Sequence, residues 1–84
     1  MAQQVSNTIV VIFSVLGVNL CPIEDSIKRV LRGRAGIRSV IVNYYMNRIY
    51  VEFDPSRVAA EEIMHLVKLT TRADRVESIE TKQR

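Results

Sequence analysis

From Thr8 onward the apolar residues change their period, and each period predicts an element. TIVVIFSVL, residues 8–16, is rich in β-branched and aromatic side chains and too short for a buried helix, so it predicts a strand. Ile9, Val11, Phe13 and Val15 form its core face; Thr8, Val10, Ile12 and Ser14 form the other. A loop follows over Gly17–Cys21, and Pro22 suits a first helical position, where its missing N–H costs nothing. Ile23, Ile27, Val30, Leu31 and Arg34 then recur at helical spacing, with Lys28, Arg29 and Arg32 on the other side, and Gly33 and Gly36 end the helix.

RSVIVNYY returns to period two, with Val40, Val42 and Tyr44 on one face. A short hairpin turn at Met46-Asn47 leads to a third strand, RIYVEFD, with Ile49, Val51 and Phe53 inward. Asp54-Pro55-Ser56 is turn chemistry, and a second amphipathic helix follows with Val58, Ile63, Leu66, Val67 and Thr70 as its core positions. RVESIE supplies a short edge strand. The order β-α-β-β-α-β predicts an α+β, ferredoxin-like fold: a four-stranded antiparallel sheet with two helices on one face. Residues 8–80 form the domain, with a disordered N-terminus over 1–7 and a frayed tail over 81–84.

Length and composition fit this picture. The 84 residues suffice for one two-layer core, and one cysteine cannot close an internal disulfide, so packing alone holds the fold. No apolar run is long enough for a transmembrane segment, and MAQQVSNT carries no basic side chain, unlike a signal peptide; a cytoplasmic location is expected. The charge is one-sided. Between Ser26 and Val51 stand Lys28, Arg29, Arg32, Arg34, Arg38 and Arg48, with no acid among them. Such a stripe is either a solvated face or an attraction for an anionic partner. The uncovered sheet face would carry Val10, Ile12, Ile41, Tyr45 and Tyr50, an apolar set that suits a contact surface and makes a homodimer one expectation.

The frame of strand, G-V-N loop, SIKRVLRGRAGI helix, hairpin, VEFDPSRVAAEEI and second helix resembles the heavy-metal-associated domain. That family includes small copper chaperones and the N-terminal domains of metal-transporting P-type ATPases. The resemblance runs from about Ile9 to Thr70 and rests on Gly17, Ser26-Ile27, Gly36-Ile37 and Phe53-Asp54-Pro55, mainly scaffold positions. It implies metal handling or transport, and as partners a metal ion and a metal transporter or its other domains. The family's ligands stand in a Met-x-Cys-x-x-Cys loop. Laid on this chain, the Met position is Val18 and the two cysteine positions are Leu20 and Ile23, so neither thiol is present. The aromatic or lysine of the family's second-helix end maps near Thr71-Arg72.

Cys21 lies between the two vacated positions. A helix N-terminus stabilises a thiolate, and as a helix cap sulfur is a poor substitute for Ser or Asp. Cys21 with Glu24 and Asp25 forms the candidate metal set. One thiolate with carboxylates suits Zn or Co better than Cu(I), which wants two soft ligands; Cd is a further candidate. Two domains sharing an ion through both Cys21 thiols would supply the soft pair. The plain alternative is a loop cysteine without a ligand, in a metal-free docking module of the same fold.

Catalysis is not expected. The one histidine, His65, falls on the polar side of the second helix, away from Cys21, and no Gly-rich phosphate loop is present. Single-stranded nucleic-acid binding of the RNA-recognition type shares the element order, and Tyr50 would sit at a stacking position. Ile12 stands where a second stacking aromatic belongs, and the first half of the strand-three motif is missing, so nucleic acid ranks below metal.

Overall fold

The structure is a computed structural model that describes residues 8–83; the disorder expected for residues 1–7 lies outside the described residues, as does Arg84. Strand β1 (Ile9–Leu16) leads through a 3-10 turn (Cys21–Ile23) into helix α1 (Glu24–Arg32). Strands β2 (Ile37–Asn43) and β3 (Arg48–Phe53), helix α2 (Ala60–Thr71) and strand β4 (Arg75–Gln83) complete the chain. The sheet order is β2-β3-β1-β4, and every neighbouring pair is antiparallel. This is the ferredoxin-like arrangement that the period changes predict.

Register explains the core. Val11 pairs with Val51 and Phe13 with Ile49, while Val40 and Val42 meet the same β3 residues from the other side. Their side chains share the face that Ile27 and Leu31 of α1 and Ile63 and Val67 of α2 cover, and all are buried. Each large aliphatic side chain so buried contributes on the order of 1.5–3 kcal/mol.

Several expectations need correction. Val30 is exposed, since the buried stripe of α1 narrows to Ile27 and Leu31, and Arg34 lies beyond α1, which ends at Arg32 with Gly33 as its C-cap. Arg34 instead forms an ion pair with Glu62 of α2. In α2, Thr71 is buried in place of Thr70, and its hydroxyl donates to the Val67 carbonyl at 2.8 Å. Tyr44 is not an inward strand residue. β2 stops at Asn43, whose Oδ1 accepts the Met46 N–H at 3.1 Å, and Asn47 takes a positive φ of 53°, so residues 44–47 form the turn. Tyr45 leaves the open sheet face for the same reason. β4 is longer than RVESIE: Thr81, Lys82 and Gln83 pair with Val11, Val10 and Ile9 rather than fraying. A long first strand gives those residues backbone partners despite their polar side chains.

On the open face, Ile12 is buried although no helix covers it. Its strand is central, and Tyr50 of β3 and Glu80 of β4 flank it. Ile41, opposite Tyr50 on the edge strand β2, stays 59% exposed.

Candidate functional site

Antiparallel pairing gathers three connections at one end of the sheet: the β1–α1 loop, the β2–β3 turn and the α2–β4 loop. The first is held from both sides. Gly17 has φ of +89°, and a Cβ there would collide with the Asp74 side chain, so the position requires glycine. Asp74 also donates its backbone N–H to the Leu16 carbonyl at 2.9 Å. Across the loop, the Asn47 side-chain amide donates to the Val18 carbonyl at 3.2 Å, and the Asn47 carbonyl accepts the Val15 N–H at 2.9 Å. The positive φ at Asn47 thus turns the hairpin and aims a side chain at the loop. Neither Asn47 nor Asp74 stands out from the sequence; an Asn in a tight turn was the available signal.

Within the loop, Asn19 Oδ1 accepts the Cys21 N–H at 3.1 Å, an Asx turn that leads into the 3-10 turn. Cys21 is the first residue of that turn rather than the cap of α1, which corrects the expected capping role. Pro22 follows in the first turn, as its missing N–H allows. Leu20, which replaces the first family cysteine, is fully buried in the core cluster, and Ile23, which replaces the second, packs partly against it. Cys21 is exposed.

Of the predicted ligands, Cys21 and Asp25 are exposed and Glu24 is half-buried. Glu24 opens α1 and forms an ion pair with Lys28 at 2.9 Å, an (i, i+4) pair that also places an acid at the positive helix end. Asp25 is the next residue and is exposed. Among the described residues, no three of His, Cys, Asp and Glu stand close enough together to hold a metal ion. The chain's own donors therefore do not make a closed chelate, and a bound cation would need ligands from elsewhere.

The hairpin adds a feature the residue pattern did not reveal. Tyr44 and Tyr45 stack with ring centroids 4.9 Å apart and planes 30° apart. The Tyr44 phenol is pushed above its ordinary pKa, first by the neighbouring Tyr45 phenol and then by Cys21, with Glu24 adding to the effect. The charges of Cys21 and Glu24 are thus felt at the Tyr44 phenol. At the α2–β4 loop, Arg72 ends the helix in a left-handed conformation (φ 54°), and the Thr71 hydroxyl accepts the Ala73 N–H at 3.2 Å. That corner carries a positive guanidinium where the family has an aromatic or lysine. Tyr50 lies away from this end, between Ile12 and Ile41, as the one ring on the open face of the strands among the described residues.

No family model matches the sequence, and no curated protein matches it. Solved structures do. The N-terminal domain of a potential copper-translocating P-type ATPase from Bacillus subtilis, in its Cu(I)-loaded state, superposes with a TM-score of 0.78 at 16% identity, over 89% of this chain and 91% of that one. Oxidized MerP from Ralstonia metallidurans gives 0.74 at 16% identity, over 87% and 99%. A structure of the Atx1-Cu(I)-Ccc2a complex gives 0.73 at 22% identity, over 86% and 96%. No helix among the described residues is long and apolar enough to cross a membrane. With its β-α-β-β-α-β order, its antiparallel sheet and these superpositions over most of its length, this chain has the fold of the heavy-metal-associated domains.

Proposed function

We propose that this domain handles a soft or borderline transition-metal ion (Cu, Zn, Co or Cd) in metal delivery or transport. Cys21 supplies one thiolate, and a partner protein supplies the rest of the soft ligand set. The partner is a metal transporter, another of its domains, or a second metal-carrying domain. The observation that carries this is the placement of Cys21: a single thiol exposed at the tip of the loop that carries the ligands in this fold, beside a Leu20 that is withdrawn into the core. An exposed thiol is reachable by a second protein, and a two-coordinate soft ion needs one sulfur from each side.

Glu24 and Asp25 are auxiliary oxygen ligands in this proposal and matter most for Zn and Co. Glu24 can leave Lys28 at small cost, because partly exposed ion pairs are worth only about 0–1 kcal/mol. The cation is cargo, passed on rather than stored, and incomplete coordination suits release. A second reading, a metal-free docking module, is favoured by the same buried Leu20, since a ligand position has become part of the hydrophobic core.

Titration with Zn(II), Co(II), Cd(II) and Cu(I), followed by two-dimensional amide spectra, separates the two. The metal proposal expects shifts confined to residues 17–25 and the 44–47 turn, all lost in Cys21→Ser and weakened in Glu24→Gln and Asp25→Asn for the harder ions. No shift with any of the four ions would sink it and leave docking.

A further inference from the structure

The sheet has two edges, β2 and β4, and they are built differently. β4 is defended. It carries Arg75, Glu77, Glu80 and Lys82, with ion pairs Arg75–Glu77 at 3.5 Å and Lys82–Glu80 at 3.4 Å along the strand. Its pairing with β1 is also broken by an irregularity between Ile12 and Phe13. Charges and bulges of this kind are how edge strands avoid adding another strand.

β2 has little of this. Its one charged residue is Arg38, beside an irregularity in the β2–β3 register between Ile37 and Ser39. From Ser39 to Asn43 the strand is regular, uncharged, free of proline and rich in β-branched residues. Every second residue of such an edge turns its backbone N–H and C=O away from the sheet.

We infer that β2 is a pairing edge and that its occupant is a second copy of β2, joined antiparallel about a two-fold axis at Ile41. The sequence is self-complementary in that register. Ser39 falls opposite Asn43, Val40 opposite Val42 and Ile41 opposite itself, so like meets like on each face. Arg38 falls opposite Tyr44 of the second copy, so no like charges face each other. Ile41, 59% exposed in the single chain, is covered in both copies by one contact at the axis. The product is a continuous sheet with all helices on one face, and Cys21 stays free for the proposed metal partner. This inference does not rest on the metal proposal.

A five-residue contact is smaller than a stable interface of roughly 1,200 Å² or more, so weak, concentration-dependent association is expected. Sedimentation velocity of the full chain at rising concentration tests this, with Ile41→Lys as the variant. Ile41 is exposed, so the variant should fold, which circular dichroism checks. The expected result is a wild-type monomer–dimer equilibrium that Ile41→Lys weakens at least about tenfold by setting two like charges across the axis. Concentration-dependent protection of β2 amides in hydrogen exchange accompanies it. A wild-type monomer at about 1 mM overturns the inference. So does a dimer that Ile41→Lys leaves intact, or protection that falls on β4 or the open face.

Discussion

The two ends of the sheet are built on the same plan and finish differently. At the end away from Cys21, Gly36 has φ of +96°, and a Cβ there would press on Arg57 and Val58. The Asp54 N–H donates to the Gly36 carbonyl at 2.8 Å, and Asp54 Oδ1 accepts both the N–H and the hydroxyl of Ser56, at 3.0 and 2.7 Å. At the Cys21 end, Gly17 likewise has a positive φ, with Asp74 against it, and Asn19 and Asn47 hold the loop. Both ends lock a glycine corner with a facing loop. The polar side chains of the first end are consumed in holding it. The second end, once held, leaves Cys21, Asp25 and the Tyr44–Tyr45 stack on the surface. The loop keeps its supports with Leu20 in the core cluster and Ile23 packed against it.

The comparison breaks most visibly at Leu20. Leu20→Ala should cost about 2–5 kcal/mol in chemical denaturation, the range for emptying a fully buried aliphatic site. If Leu20 were an idle ligand position, the loss would be under about 1 kcal/mol. The glycine corners come next. Gly36→Ala should cost about 1–3 kcal/mol, because the positive φ is strained for alanine and buried Val58 stands in the way. Gly17→Ala should cost a similar amount, since its φ is equally positive and the Asp74 Cβ, which no side-chain rotation moves, would lie against the new methyl.

Smaller still is the acid response of the far end. Hydrogen bonds from the Ser56 hydroxyl and then its N–H hold the Asp54 carboxyl below its ordinary pKa. The folded value lies below the unfolded one, so this stabilisation is complete above the unfolded pKa of about 3.9 and fades as pH falls through the folded value. Asp54→Asn should flatten the acid limb of a stability–pH curve by lowering stability slightly at neutral pH, leaving the acid end, where Asp54 is already protonated, nearly unchanged. The smallest effect belongs to Cys21→Ser. Stability should move by less than about 0.5 kcal/mol. The Tyr44 titration, followed by ring resonances, should shift downward, because the thiol is the second cause of its raised pKa.

Much of the fold could be read from residue patterns because strands and helices bury opposite periods. Val11, Phe13 and Val15, and Ile49, Val51 and Phe53, alternate cleanly and lie where that alternation places them. Asp54-Pro55-Ser56 could be read because its turn is made by local hydrogen bonds. The site was harder to read because tertiary contacts make it. Asn47 reaches Val18 across 29 positions, and Asp74 fills the space beside Gly17 from the far end of α2. Tyr44 was misplaced because alternation carries a strand onward until a side chain such as Asn43 stops it. The apolar stripe of α1 is narrower than its residue pattern, because the helix ends at Arg32 before Arg34 and buries only Ile27 and Leu31.

Cys21 is proposed as a metal ligand that another protein completes. The most direct test is the stoichiometry of Cu(I) bound by the isolated chain, without oxygen and against a competing chelator. Two thiolates satisfy Cu(I), and two copies can supply them, so the account predicts saturation at about one ion per two chains and no binding by Cys21→Ser. One tightly held ion per chain that survives Cys21→Ser, or no Cu(I) held by the wild type, would contradict it.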